Sequence, residues 1–403
     1  MSMRGGLNFK SIGLFICVCA LLFGCAPPPA QTQKIEGITT LLPNREAIIK
    51  ARIQSTLNDY NAALEKHDET LFMSSVDQEN QAVKGLFSAF YNDIESAGYP
   101  NMAELGMTLI DIEQINQDLV LAHIRRDRDG WQADWFFRGS DAKWVISEPT
   151  ATEAGAPLTT ISGNYTVMTY PITHDLNGSI LPLIAKAQEN LLKEIGGTPT
   201  GKVTITVYPS VSLSPLGGDA LSGWSINPSE DSPDNIDMMS PTSWSFGFYD
   251  PGVGWESDFE RLLTLELARI TYVRNFGNPG QGIDWFFEGL VEYIAGSDEM
   301  PEVSAAVRND TITPIIDTSS ADKKIDLAHF ENLDNLRLAY GLSESLVTFI
   351  VEQYGGIEAF WALAKAYDRY QDMDQALQAA LGIGYEQFDT SWREWLKADY
   401  IKR

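Results

Sequence analysis

The residues best equipped for chemistry crowd into one stretch, Phe259 to Gly296, where Glu266 and Arg269 lie three positions apart and Glu288 and Glu292 lie four apart. Either spacing puts both members of the pair on one face of a helix. Glu266, Glu288 and Glu292 held together would offer oxygen donors only, a set that suits a hard ion better than zinc. Arg269 works against any such ion, because a guanidinium is charged at every physiological pH and can only donate. The chain has four histidines, His67, His123, His174 and His329, and none falls between Phe259 and Gly296. Outside that stretch, His123 and Asp134 are the candidates for an acid–base pair. They sit on separate strand-like runs, and nothing in the sequence places them together.

Two amphipathic helical runs, Phe259–Asn275 and Trp285–Ala295, carry these groups on either side of a turn rich in Gly and Asn/Pro. This frame resembles the peptidase MA-like gluzincins, in which a first helix bears H-E-x-x-H and an E-G helix supplies the third zinc ligand. The resemblance puts Glu266 on the general base, Glu288 on the third ligand, Glu292 on the acidic residue one turn further, and Leu265 and Arg269 on the two ligand histidines. It runs from Tyr165 to the C-terminal helices, through Tyr340-Gly341-Leu342-Ser343 and Trp392-Arg393-Glu394-Trp395-Leu396. Catalytic zinc needs three protein ligands and an open position, and leucine and arginine cannot stand in for two of them. The resemblance therefore implies a pseudopeptidase with degenerate positions Leu265, Glu266, Arg269, Glu288 and Glu292, no catalytic residue, no metal and no cofactor. In the family's geometry Arg269 would point towards Glu288, so that a cation replaces a cation. Two alternatives stay open: a metallopeptidase with an atypical metal site around Glu266 and Glu288, and small-molecule binding or catalysis in the N-terminal domain.

The elements that must position these groups divide the chain as follows. Residues 1–25 have Arg4 and Lys10, an apolar run Ile12–Phe23 and Leu22-Phe23-Gly24-Cys25. That pattern resembles a bacterial lipoprotein signal, with Cys25 as lipid anchor and the cell membrane, on its extracytoplasmic face, as location. Residues 26–44, opening on three prolines, form a tether. Residues 45–150 give helices Arg45–Lys66 and Gln81–Ala97, then strands Leu105–Ile115, Asp118–Arg126, Trp131–Arg138 and Lys143–Ser147. This order is similar to the nuclear transport factor 2-like (SnoaL-like) cone. Residues 151–163 lack apolar periodicity and are expected to be a linker. Residues 164–403 form the gluzincin-like domain: strand Tyr165–Tyr170, helix Ile180–Ile195, strand Lys202–Tyr208, the central helix pair, an irregular Met300–Asp334, and a C-terminal helical lobe. The expected class is α+β: a cone-shaped helix-plus-antiparallel-sheet domain, then a domain with a small sheet.

Charge and cysteine narrow the partners. With 29 Lys+Arg against 55 Asp+Glu the chain carries −26, which makes nucleic acid an improbable partner. An acidic body is repelled by anionic lipid, so membrane attachment should rest on lipid at Cys25. All three cysteines, Cys17, Cys19 and Cys25, lie in the leader, leaving no disulfide for the rest of the chain. The expected partners are membrane lipid and an extracytoplasmic protein or peptide, and the expected role is binding or structural.

Overall fold

A computed structural model describes residues 43–97, 106–139, 142–173, 176–197, 199, 201–216, 220–229, 232–277, 284–296, 300–312 and 336–398. The leader with Cys25, most of the tether, the turn at 278–283, and His174, Asp317, Asp322 and His329 lie outside the described residues. The class is α+β, with two sheets and a C-terminal helical lobe. Both lobes belong to one compact unit, Thr39–Arg403.

The first lobe starts with α1 (Pro43–Lys66), whose Ile49, Ile53, Leu57, Tyr60 and Leu64 recur at helical spacing and are buried. Ile48, which the periodicity also assigns to that face, is 42 % exposed. Helix α2 (Glu69–Ser74) is capped by Asp68, which accepts from the Leu71 amide, and α3 (Gln81–Ala97) adds Val83, Phe87 and Tyr91 to the core. A four-stranded antiparallel meander follows: β1 (Met107–Gln114), β2 (Leu119–Arg126), β3 (Gln132–Gly139) and β4 (Trp144–Ile146). Alternation decides its two faces. Val120, Ala122, Ile124, Ala133, Trp135 and Phe137 join the helices in one core, while Leu119, Leu121 and Phe136 on the other face pack with Ala154 and Ile172 of the second lobe.

The stretch 151–163, expected to be a linker, is structured. Thr150 and Glu153 close a capping box over α4 (Ala151–Ala154). Beyond it β5 (Leu158–Ser162) turns through Gly163-Asn164 into β6 (Tyr165–Thr169) as a hairpin. The second sheet has the order β5-β6-β7-β9-β8, with β7 (Val203–Tyr208) and β9 (Asp234–Met239) parallel to β6, and β8 (Ser222–Ser225) antiparallel at the edge. Helix α5 (Leu176–Ile195) makes the β6-to-β7 crossover.

Helices α6 (Trp255–Phe276) and α7 (Asp284–Ala295) follow, then α8 (Met300–Arg308), which replaces part of the irregular stretch expected there. Val303, Ala306 and Val307 give α8 a buried face that its short, polar surroundings obscure in the sequence. Helices α9 (Leu336–Tyr354), α10 (Ile357–Tyr370), α11 (Met373–Leu381) and α12 (Tyr385–Ala398) close the C-terminal lobe. One core runs through all of this lobe, from Val167 and Ile205 on the sheet to Leu267 and Phe286 on the central pair and Trp392 on α12.

Candidate functional site

Helix α6 passes under the second sheet with Phe259, Leu263, Leu267, Ala268 and Ile270 buried, which fixes its rotation and turns Glu266 and Arg269 towards α7 and the edge strand β8. A glycine sets the other side. A Cβ on Gly289 would lie 2.3 Å from the Ser343 carbonyl oxygen of α9, so only glycine permits this approach of α7 to α9. That approach places Glu288, the preceding residue, opposite Arg269.

The structure brings these three side chains together. Arg269 Nη1 donates to Glu266 Oε1 at 3.0 Å and Arg269 Nη2 donates to Glu288 Oε2 at 2.6 Å. Ser222 Oγ, on β8, donates to the same Glu266 oxygen at 2.6 Å. Glu266 is fully buried, and Arg269 and Glu288 are 16 % and 24 % exposed at the side chain. Burial alone would lower the Arg269 pKa, but the Glu266 and Glu288 carboxylates outweigh it and hold the guanidinium firmly charged. Glu292 accepts from Arg261 Nη1 at 3.4 Å. Leu265 is packed into the apolar core at 5 % exposure.

These residues do not fit zinc. Leu265 offers no lone pair, Arg269 offers only donors, and the guanidinium already spans the two carboxylates on which the resemblance would place the base and the third ligand. Among the described residues no group of three or more His, Cys, Asp and Glu is arranged to hold a metal ion. What the cluster can do is tie α6, α7 and β8 to one another through a single planar cation.

A second polar constellation lies on the first lobe. His123 and Asp134 are directly opposite in the β2–β3 register, with Nδ1 and Oδ1 2.6 Å apart, and Tyr249 Oη donates to Asp134 Oδ2 at 3.3 Å. The hydrogen bond to Asp134 raises the imidazole pKa against the opposing effect of burial, and Asp134, Glu113 and Asp111 add charge in the same sense. The pair sits on the sheet face opposite the helix-covered core. The pairing depends on the register of the longer Asp127–Gly130 loop, since a two-residue Asp129-Gly130 turn would have set His123 opposite Phe136 instead.

The helix-covered core of the first lobe is filled partly from outside. Trp244, on the segment between β9 and α6, lies 4.1 Å from Phe87, 5.0 Å from Phe90 and 6.0 Å from Trp135, ring centre to ring centre, and Phe248 packs on Trp135 at 5.5 Å. Tyr249 and Gln132 exchange two backbone hydrogen bonds, both 2.9 Å. Trp224, on β8, instead packs beside the charge cluster's helix on Phe287. Ser222 joins the charge cluster, and Trp244 the first lobe's core, without a local signal in sequence, since each meets a partner far along the chain.

No protein-family model matches the chain, and no curated protein matches it either.

Proposed function

We propose that this chain is a membrane-anchored extracytoplasmic lipoprotein whose second lobe is a gluzincin-like scaffold turned to a non-catalytic role, binding a protein or peptide or serving as a structural component. The reading rests on one observation: Arg269 bridges Glu266 and Glu288, the two residues to which the resemblance assigns the general base and the third zinc ligand. A bound guanidinium cannot lower the pKa of a water or polarise a carbonyl as zinc does. It can keep the two helices and the edge strand in register, and an edge strand is a surface to which an extended peptide adds by backbone hydrogen bonds. The leader pattern ending at Cys25 and the −26 net charge support anchoring by lipid and argue against nucleic acid.

Elemental analysis of the purified full chain tests this reading, alongside the Leu265→His, Arg269→His double variant. The native chain should carry far less than one metal ion per molecule, and the variant should take up about one zinc, as expected for a restored three-ligand site. One tightly bound ion in the native chain would overturn the pseudopeptidase reading.

A further inference from the structure

The two lobes meet across a seam of buried polar side chains with one carboxyl at its centre. Glu148, just after β4, is 1 % exposed. Its Oε2 accepts from the Val211 amide at 2.8 Å and its Oε1 accepts from Ser243 Oγ at 2.9 Å, both donors belonging to the second lobe. The second-lobe residues Ser210, Ser240, Thr242 and Ser243 along this side are buried and carry hydroxyl groups only. The charged neighbours around β3, β4 and α4 are occupied with one another. Arg138 on β3 forms a two-pronged pair with Glu153 of α4, at 2.9 and 2.7 Å, and lies 3.7 Å from Asp77, which accepts from Ser147 Oγ at 2.7 Å. Arg138 reaches Glu148 only at its backbone carbonyl, 3.1 Å away. Among the described residues, therefore, both hydrogen bonds to the Glu148 carboxylate come from uncharged donors.

We propose that Glu148 is a pH-responsive latch between the lobes: the neutral carboxyl lets the seam close fully, and the ionised carboxylate loosens it. A carboxylate taken out of water without a cation is costly, whereas the neutral acid can keep both hydrogen bonds. Burial pushes the Glu148 carboxyl up to about 7, against the opposing pull of the Val211 amide and the Ser243 hydroxyl. The closed seam thus favours the protonated form, and its stability is lost as the pH rises from about 4.5, the ordinary value, to about 7. What opens is defined by the fold. Ser243 leads directly into Trp244 and Tyr249, which hold the first lobe, and then through Gly254 into α6 with Glu266 and Arg269. The latch stands independently of whether the second lobe is a pseudopeptidase.

Amide hydrogen exchange on the full chain, corrected for the intrinsic pH dependence of exchange, tests the latch. From pH 5 to pH 8 the protection of the Gln132, Val211 and Tyr249 amides should fall by roughly 70-fold, the ratio that follows from a carboxyl near 7 when closed and near 4.5 when open. Amides of the second-lobe core, such as Ile205, should keep their protection. In Glu148→Gln the pH response of the seam amides should vanish. In Ser243→Ala, which removes a donor to the carboxylate, its upper end should move to higher pH. A pH-independent native seam, an unchanged response in Glu148→Gln, an unmoved one in Ser243→Ala, or an equal loss of protection at Ile205 would each overturn the proposal.

Discussion

Replacing Arg269 with alanine should be among the most damaging single changes in the second lobe. Glu266 is fully buried, and once the guanidinium is gone it keeps, among the described residues, Ser222 alone as a hydrogen-bond partner. Its other oxygen, Oε2, has no partner among the described residues. Breaking a buried ion pair by deleting one member costs about 3–5 kcal/mol. Glu288, a quarter exposed, can recover water, so the figure belongs near the lower end, at about 3 kcal/mol. A surface pair is worth only about 0–1 kcal/mol, which makes the two cases separable. Urea denaturation of the full chain provides the measurement, with the slope monitored so that a change in midpoint reads as stability. Removing the stranded charge as well, in Arg269→Ala with Glu266→Gln, should restore a good part of the loss, since the remaining amide needs no counter-ion. A loss below about 1 kcal/mol for Arg269→Ala, or a double variant no better than the single one, would refute the view that Arg269 neutralises a buried carboxylate.

Two further outcomes follow from the geometry. Gly289→Ala should destabilise by about 1–3 kcal/mol in the same denaturation assay, because its methyl would lie 2.3 Å from the Ser343 oxygen and force α7 from α9. The overpacking should exceed the roughly 1 kcal/mol that alanine gains over glycine in a helix. For His123, imidazole proton shifts in NMR should titrate above the ordinary histidine value and return towards it in Asp134→Asn. A histidine raised on folding contributes stability that is fully present below its unfolded pKa, near 6.5, and is lost as the pH rises through the folded one. Asp134→Asn should therefore cost more stability at pH 5.5 than at pH 9.

Much of this architecture can be read locally, and the exceptions have two causes. Helix α1 is legible because Ile49, Ile53, Leu57, Tyr60 and Leu64 repeat at helical spacing, and the meander is legible because Val120, Ala122 and Ile124 alternate with outward residues. Helix α4 and strand β5 were hidden by a stretch of Ala, Thr and Gly without periodicity, although Thr150 with Glu153 and the Gly163-Asn164 turn are local signals of both. In the site, Glu266 and Arg269 are three residues apart and their pairing is a local fact. Bringing in Glu288 takes the packing of α7 on α9, and bringing in Ser222 takes the position of β8 at the sheet edge. Glu148 and Trp244 are further removed still. Each is defined by a contact between lobes, and no window of neighbouring residues carries that information.

The place of Trp244 bears on how the protein is made. A chain emerges N-terminus first and its domains tend to fold in that order. The first lobe has all its own strands once Ile146 has appeared, yet the indole that packs between Phe87 and Trp135 arrives only after roughly a hundred further residues. Until then the lobe has an aromatic recess without its occupant. Its completion is set by a step in the synthesis of the other lobe, and the two reach their final form together.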